Sequence, residues 1–128
     1  MNKGGKMQYK SENPLVDLSM KLAILVVNIA DNVSAPKSSY MTDQLARAGT
    51  SVGANIHEAQ YGHGKKDFVA KMEIALKEAS ETSFWLQLML QTKRIDDNTY
   101  WEAEKLCGTI RRLLIASCRT AKENRINN

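Results

Sequence analysis

Apolar side chains recur along this chain at spacings of three and four in four separate stretches, the period of a helix with one buried face. The first stripe is Leu15, Leu18, Leu22, Leu25, Ile29 and Val33, with Asn13 placed to cap it and Pro14 at the first helical position. Pro36 ends that helix. In the second, Ser38 or Ser39 can cap, and Met41, Leu45, Ala48, Val52, Ile56 and Ala59 face inward. The third starts near Lys66 or Asp67 and turns Phe68, Met72, Ala75, Ala79, Ser83, Leu86 and Leu90 to the core. Asp96 or Asp97 can cap the fourth, whose stripe is Ala103, Leu106, Ile110, Leu113, Leu114, Ser117 and Ala121. No stretch alternates with period two. Short connections between helices of this length predict an all-α, antiparallel up-down-up-down four-helix bundle over residues 13–124. Residues 1–12 read as a flexible basic arm, with Lys3, Lys6 and Lys10 around a glycine pair, and 125–128 as a frayed C-terminus.

Composition adds little to this fold but does bear on partners. The chain of 128 residues fits one domain, and its 2 Pro and 7 Gly leave little material for many turns. The net charge of +4 is unevenly spread. Residues 105–128 set Lys105, Arg111, Arg112, Arg119, Lys122 and Arg125 against Glu123 alone, a net +5 that leaves −1 for the rest. Such a basic segment is compatible with nucleic acid. Cys107 and Cys118, eleven residues apart on one helix, lie too far apart to pair. Two free thiols without a secretory signal point to the cytoplasm. The most apolar run, Leu22 to Val27, is too short to cross a bilayer, so no membrane partner is expected.

Beside the core stripes lie polar and apolar lines that need a second explanation. Positions 48–55 are unusually small for helix interior, and Gly49 and Gly53 each cost about 1 kcal/mol relative to Ala there. Close helix approach offsets such a cost, either inside one bundle or against another subunit. Arg47, Ser51, Asn55 and Glu58 form a polar stripe on the same helix, fitted to structural bracing or to binding. Ile74, Glu78, Glu81, Trp85 and Leu88 trace a heptad seam on the third helix, expected to be an oligomer or partner interface, the alternative being a wide core within one bundle. Its carboxylates need Lys or Arg partners, which arginines of a neighbouring subunit could supply. On the fourth helix Lys105, Arg112 and Arg119 line one flank of the apolar stripe, and Arg111, Lys122 and Arg125 the other. These rails, with Lys65 and Lys66 at the start of the third helix, are the candidate nucleic-acid contacts; as shoulders of a bundle helix they would simply be solvated.

Signals for catalysis fail in turn. The loop before Lys65 and Lys66 is not a phosphate-binding Walker loop, because Ala59 stands where its first glycine belongs and Lys66 where Ser or Thr belongs. No Glu-x-x-His pair provides a di-iron site, and His57 and His63 have no zinc-ligand spacing to Cys or each other. The expectation is a protein without metal, cofactor or catalytic residues.

The run from Gln44 to Ala59, QLARAGTSVGANIHEA, closely resembles the signature of bacterial four-helix-bundle proteins encoded in intervening sequences of 23S ribosomal RNA genes. A second block, Asp67-Phe68 through Lys77-Glu78-Ala79-Ser80-Glu81-Thr82 to Trp85-Leu86, is similar to one subgroup. His57 and Ala59 depart from the usual Ala and Gly. The resemblance, over roughly residues 14–120, implies a homopentameric ring of bundles. For relatives that serve as accessory variability determinants of diversity-generating retroelements, it implies binding to nucleic acid and to a reverse transcriptase. The expected function is therefore an oligomeric, non-enzymatic RNA- or DNA-binding protein; the alternative is an interaction scaffold that does not touch nucleic acid.

Overall fold

A computed structural model of the chain describes residues 13–127, with side chains to Asn124, and contains four helices and no strand among them. They are α1 (Pro14–Asn32), α2 (Ser39–Ala59), α3 (Lys65–Gln91) and α4 (Asp97–Asn127). The basic arm at 1–12 lies outside the described residues. α4 continues to Asn127, past position 124 where the sequence reading has the chain fray.

Each helix packs on its neighbour in the chain, and α1 closes against α4 in the least extensive of the four contacts. One core fills the space between them, built on Leu22, Val26, Leu45, Val52, Ile56, Met72, Leu86, Met89, Ile110 and Leu114. Every position of the second stripe is buried as read from the sequence. On the other helices the buried line is displaced by about one residue in places. α1 buries Ser19 and Val26, leaving Leu18 and Leu25 half-buried; α3 buries Val69, Thr82 and Met89 ahead of Phe68, Ser83 and Leu90. On α4 the two cysteines enter the core, while Leu106 is half-buried and Leu113 is exposed.

The small residues of α2 explain the burial of Ser19. A Cβ added at Gly49 would lie 2.5 Å from Val26 Cγ2, and one at Gly53 would lie 3.3 Å from the carbonyl oxygen of Ser19. These glycines thus let α1 approach α2 within one chain. Ser19 satisfies its own hydroxyl by donating to the Val16 carbonyl at 3.2 Å.

The helix ends follow elementary capping rules with one exception. Asn13 Oδ1 accepts from Leu15 N at 3.0 Å, and Asp96 Oδ1 from Thr99 N at 2.8 Å. Ser38 precedes α2, but its hydroxyl donates to Ala35 O and accepts from Arg94 Nε, both at 2.8 Å, so it caps nothing. Gly64 starts α3 with φ 90°, a conformation in which glycine is unstrained. α3 ends in a Schellman turn: Arg94 N bonds Met89 O at 2.8 Å and Lys93 N bonds Leu90 O at 3.0 Å. Lys93 holds φ 60° there, where glycine is the usual residue. The turn aims Arg94 at the α1–α2 connection, where it bonds Ser38 and the Pro36 carbonyl.

Candidate nucleic-acid interface

The six basic residues of the last helix do not share one fate. Lys105, Arg112 and Arg119 are exposed and make no ion pair among the described residues; Arg112 Nη2 donates only to Thr109 Oγ1, 3.3 Å away. The opposite flank is occupied. Arg111 Nη1 donates to Ser83 Oγ at 2.9 Å and lies 3.9 Å from Glu104, and Lys122 pairs with Glu73 at 2.7 Å. The Arg125 side chain lies outside the described residues. Lys65 and Lys66 are exposed in the first turn of α3, beside Asp67. The free cations of α4 therefore form one line, seven residues or about 10.5 Å apart.

That line carries a residue the sequence reading passed over. Trp101 sits four positions before Lys105, and the run Trp101, Lys105, Gly108, Arg112, Ile115, Arg119 steps by four and three along one helix face. Its side chain is 59% exposed, with the ring of Tyr100 packed edge-on at 5.1 Å. The signal was present as an i, i+4, i+11, i+18 pattern of one aromatic and three cations.

The polar stripe on α2 meets the seam on α3. Arg47 forms ion pairs with both Glu78 and Glu81, while Glu58 takes Lys71 at 2.9 Å. Asn55 turns back to the Ser51 carbonyl, 2.8 Å away, and Ser51 is half-buried. Trp85 Nε1 donates to Glu81 at 3.1 Å. The Arg47 guanidinium, with help from that indole N–H, holds the Glu81 carboxyl below its ordinary value. Within the chain both carboxylates have a cationic partner in Arg47, so neither depends on an arginine from a neighbouring subunit to be paired. Trp85 and Leu88 are half-buried against the core, and only Ile74 of the seam stands exposed.

Chemistry elsewhere is subdued. Burial pushes the Cys107 thiol up, the reverse of what activates a nucleophile, and the thiol donates to the Ala79 carbonyl at 3.2 Å. Burial raises Cys118 likewise. Among the described residues no three His, Cys, Asp or Glu side chains gather to hold a metal ion. No helix of the described residues is long and apolar enough to cross a membrane.

Residues 11–116 match the sequence model of a family described as 23S rRNA-intervening sequence protein. A crystal structure from Bacteroides thetaiotaomicron, described as a protein with unknown function from the S23 ribosomal protein family, is similar in fold with a TM-score of 0.78. It is 38% identical over 81% of this chain and 97% of its own. No curated protein matches the chain.

Proposed function

Because the chain belongs to the 23S rRNA-intervening sequence protein family, we propose that it is a non-catalytic, homo-oligomeric protein of the cytoplasm that binds structured RNA through the outer face of α4. One observation carries this reading: Lys105, Arg112 and Arg119 share an exposed face, and none has a carboxylate partner among the described residues. Cations that fold into no ion pair remain available to neutralise phosphates, and each phosphate neutralised releases counterions. Lys65 and Lys66 would extend the contact. Arg111 and Lys122, already paired within the chain, would contribute less.

The same reading takes the bundle as antiparallel up-down-up-down, supported for α2 and α3 by Arg47 meeting Glu78 and Glu81 while Glu58, later in α2, meets Lys71, earlier in α3. Five such bundles in a ring, as the family resemblance implies, would repeat the cationic face and raise affinity through multivalency. The seam of Ile74, Glu78, Glu81, Trp85 and Leu88 is the proposed contact between bundles, and exposed Ile74 is its most accessible point. Light scattering of Ile74→Glu should give a lower mass than the wild type.

Filter binding with a 23S ribosomal RNA fragment at two salt concentrations tests the RNA reading. Wild-type affinity should fall steeply with salt, and Arg112→Glu with Arg119→Glu should weaken binding and flatten that dependence. Unchanged affinity in the double variant would refute it. The alternative, an interaction scaffold without nucleic-acid contact, gains less support from the seam because Arg47 of the same chain already pairs with Glu78 and Glu81.

A further inference from the structure

Charge alone does not distinguish a duplex from a single strand, but the α4 face carries more than charge. An indole that is 59% exposed lies in line with three unpaired cations, one helical turn before the first of them. Beside Lys105, the thin contact between α1 and α4 leaves a groove of about 580 Å³. It is lined by apolar Ile24, Leu25 and Leu106 and by polar Lys21, Asn28 and Thr109, with Glu102 among them. Exposed Asp97 and Glu123 fall on the cationic stripe just beyond Trp101 and Arg119, so phosphate would be repelled at either end.

We infer that this face is a track for single-stranded nucleic acid, with Trp101 as a base-stacking platform and Lys105, Arg112 and Arg119 as the phosphate contacts. The inference rests on the nucleic-acid reading above and names the form of the ligand. An unpaired base offers its π-face to an aromatic ring, and such stacking tolerates any base. Bases inside a duplex are stacked on one another, and the deep major groove of A-form RNA admits no side chain. The indole therefore has a ligand only in loops, bulges and single strands. A base next to the stacked one can enter the α1–α4 groove, where the Asn28 amide provides hydrogen-bonding groups; the Thr109 hydroxyl already donates to the Lys105 carbonyl and accepts from Arg112. From Trp101 to Arg119 the track spans about 27 Å, a footprint of several nucleotides.

Fluorescence anisotropy tests this, using the full chain at low salt with a labelled oligouridylate of about 12 nucleotides and a blunt RNA duplex of equal length. The wild type should prefer the single strand, and binding should quench indole emission. Trp101→Ala should weaken single-strand binding about tenfold or more and leave duplex binding unchanged. Trp101→Phe, which keeps a ring, should retain most of the affinity. Exposed as it is, position 101 tolerates both changes, and circular dichroism checks the fold. Wild-type affinity for the single strand in Trp101→Ala, or a wild-type preference for duplex, overturns the inference while leaving salt-dependent binding intact. Absence of binding to both probes overturns the nucleic-acid reading itself.

Discussion

Gly49 offers the sharpest test of how the bundle is held together. Helix propensity alone says that Gly49→Ala should stabilise α2 by about 1 kcal/mol. Packing says the reverse. The new methyl would lie 2.5 Å from Val26 Cγ2 and 3.0 Å from Cγ1, far inside ordinary contact. Val26 is fully buried, and a β-branched side chain in a helix has essentially one rotamer, so it cannot swing away. Overpacking of this kind costs about 1–3 kcal/mol, and a separation so short belongs in the upper half of that range. Subtracting the propensity gain leaves a net loss of about 1–2 kcal/mol. Urea unfolding followed by circular dichroism should show it as a lower midpoint with an unchanged slope. Val26→Ala removes both clashing methyls, so the double variant should lose less than the sum of the single ones, with a coupling of about 1 kcal/mol or more. A Gly49→Ala protein as stable as the wild type, or additive behaviour with Val26→Ala, would refute packing of α1 on α2 as the reason for glycine here. If the small residues served another subunit instead, Gly49→Ala would lower the mass in light scattering and Val26→Ala would not restore stability.

Arg47→Ala should cost about 1 kcal/mol at neutral pH, since Arg47 and Glu81 are partly exposed while Glu78 is nearly buried. The Glu81 carboxyl is held below its unfolded value, so its contribution is complete above about pH 4.3 and is lost as pH falls through the lower folded value. Thermal midpoints of the two proteins should therefore differ at neutral pH and converge in acid; a constant gap down to pH 3, roughly a unit below the unfolded value, would exclude Glu81 as the source. Lys93→Gly should act in the opposite direction. Removing a Cβ from φ 60° relieves about 1 kcal/mol, partly offset by the freer unfolded chain, and should raise the midpoint by roughly 2–5 °C. A lower midpoint would contradict the assignment of strain to Lys93.

The helices were legible because their period and punctuation agree. Asn13-Pro14 opens α1 and Asp96 caps α4, and the whole inward line of α2 could be read directly. What the sequence could not reveal was the exact azimuth of the other helices. Leu18 and Leu25 look like better core residues than Ser19, yet the direction of burial is set by where α2 comes closest, and two glycines bring it to Ser19 and Val26. On α4 Cys107 and Cys118 join Ile110 and Leu114 in the core while Leu106 and Leu113 do not; Cys107 packs against α3, donating to the Ala79 carbonyl. The site was half legible. The basic rails could be counted, but which rail was already paired depended on Glu73, Glu104 and Ser83 arriving from another helix or another turn. Trp101 belongs to no buried stripe and carries no charge, so neither the hydrophobic period nor the charge pattern marks it.

The arginine that joins two connections has a consequence for engineering. Arg94 ties the turn after α3 to Ser38 and Pro36 in the turn after α1, residues more than fifty positions away, so cutting or lengthening either turn would disturb both. The connection between α2 and α3 is tied only at its first residue, where Gln60 Oε1 accepts from Asn13 Nδ2 at 3.1 Å; beyond it the backbone bonds are local, and His63 is exposed. A fluorescent protein, an affinity tag or new termini would disturb the fold least at His63, but there they would stand beside Lys65 and Lys66 of the proposed contact. Grafts in the 33–38 turn should be poorly accepted.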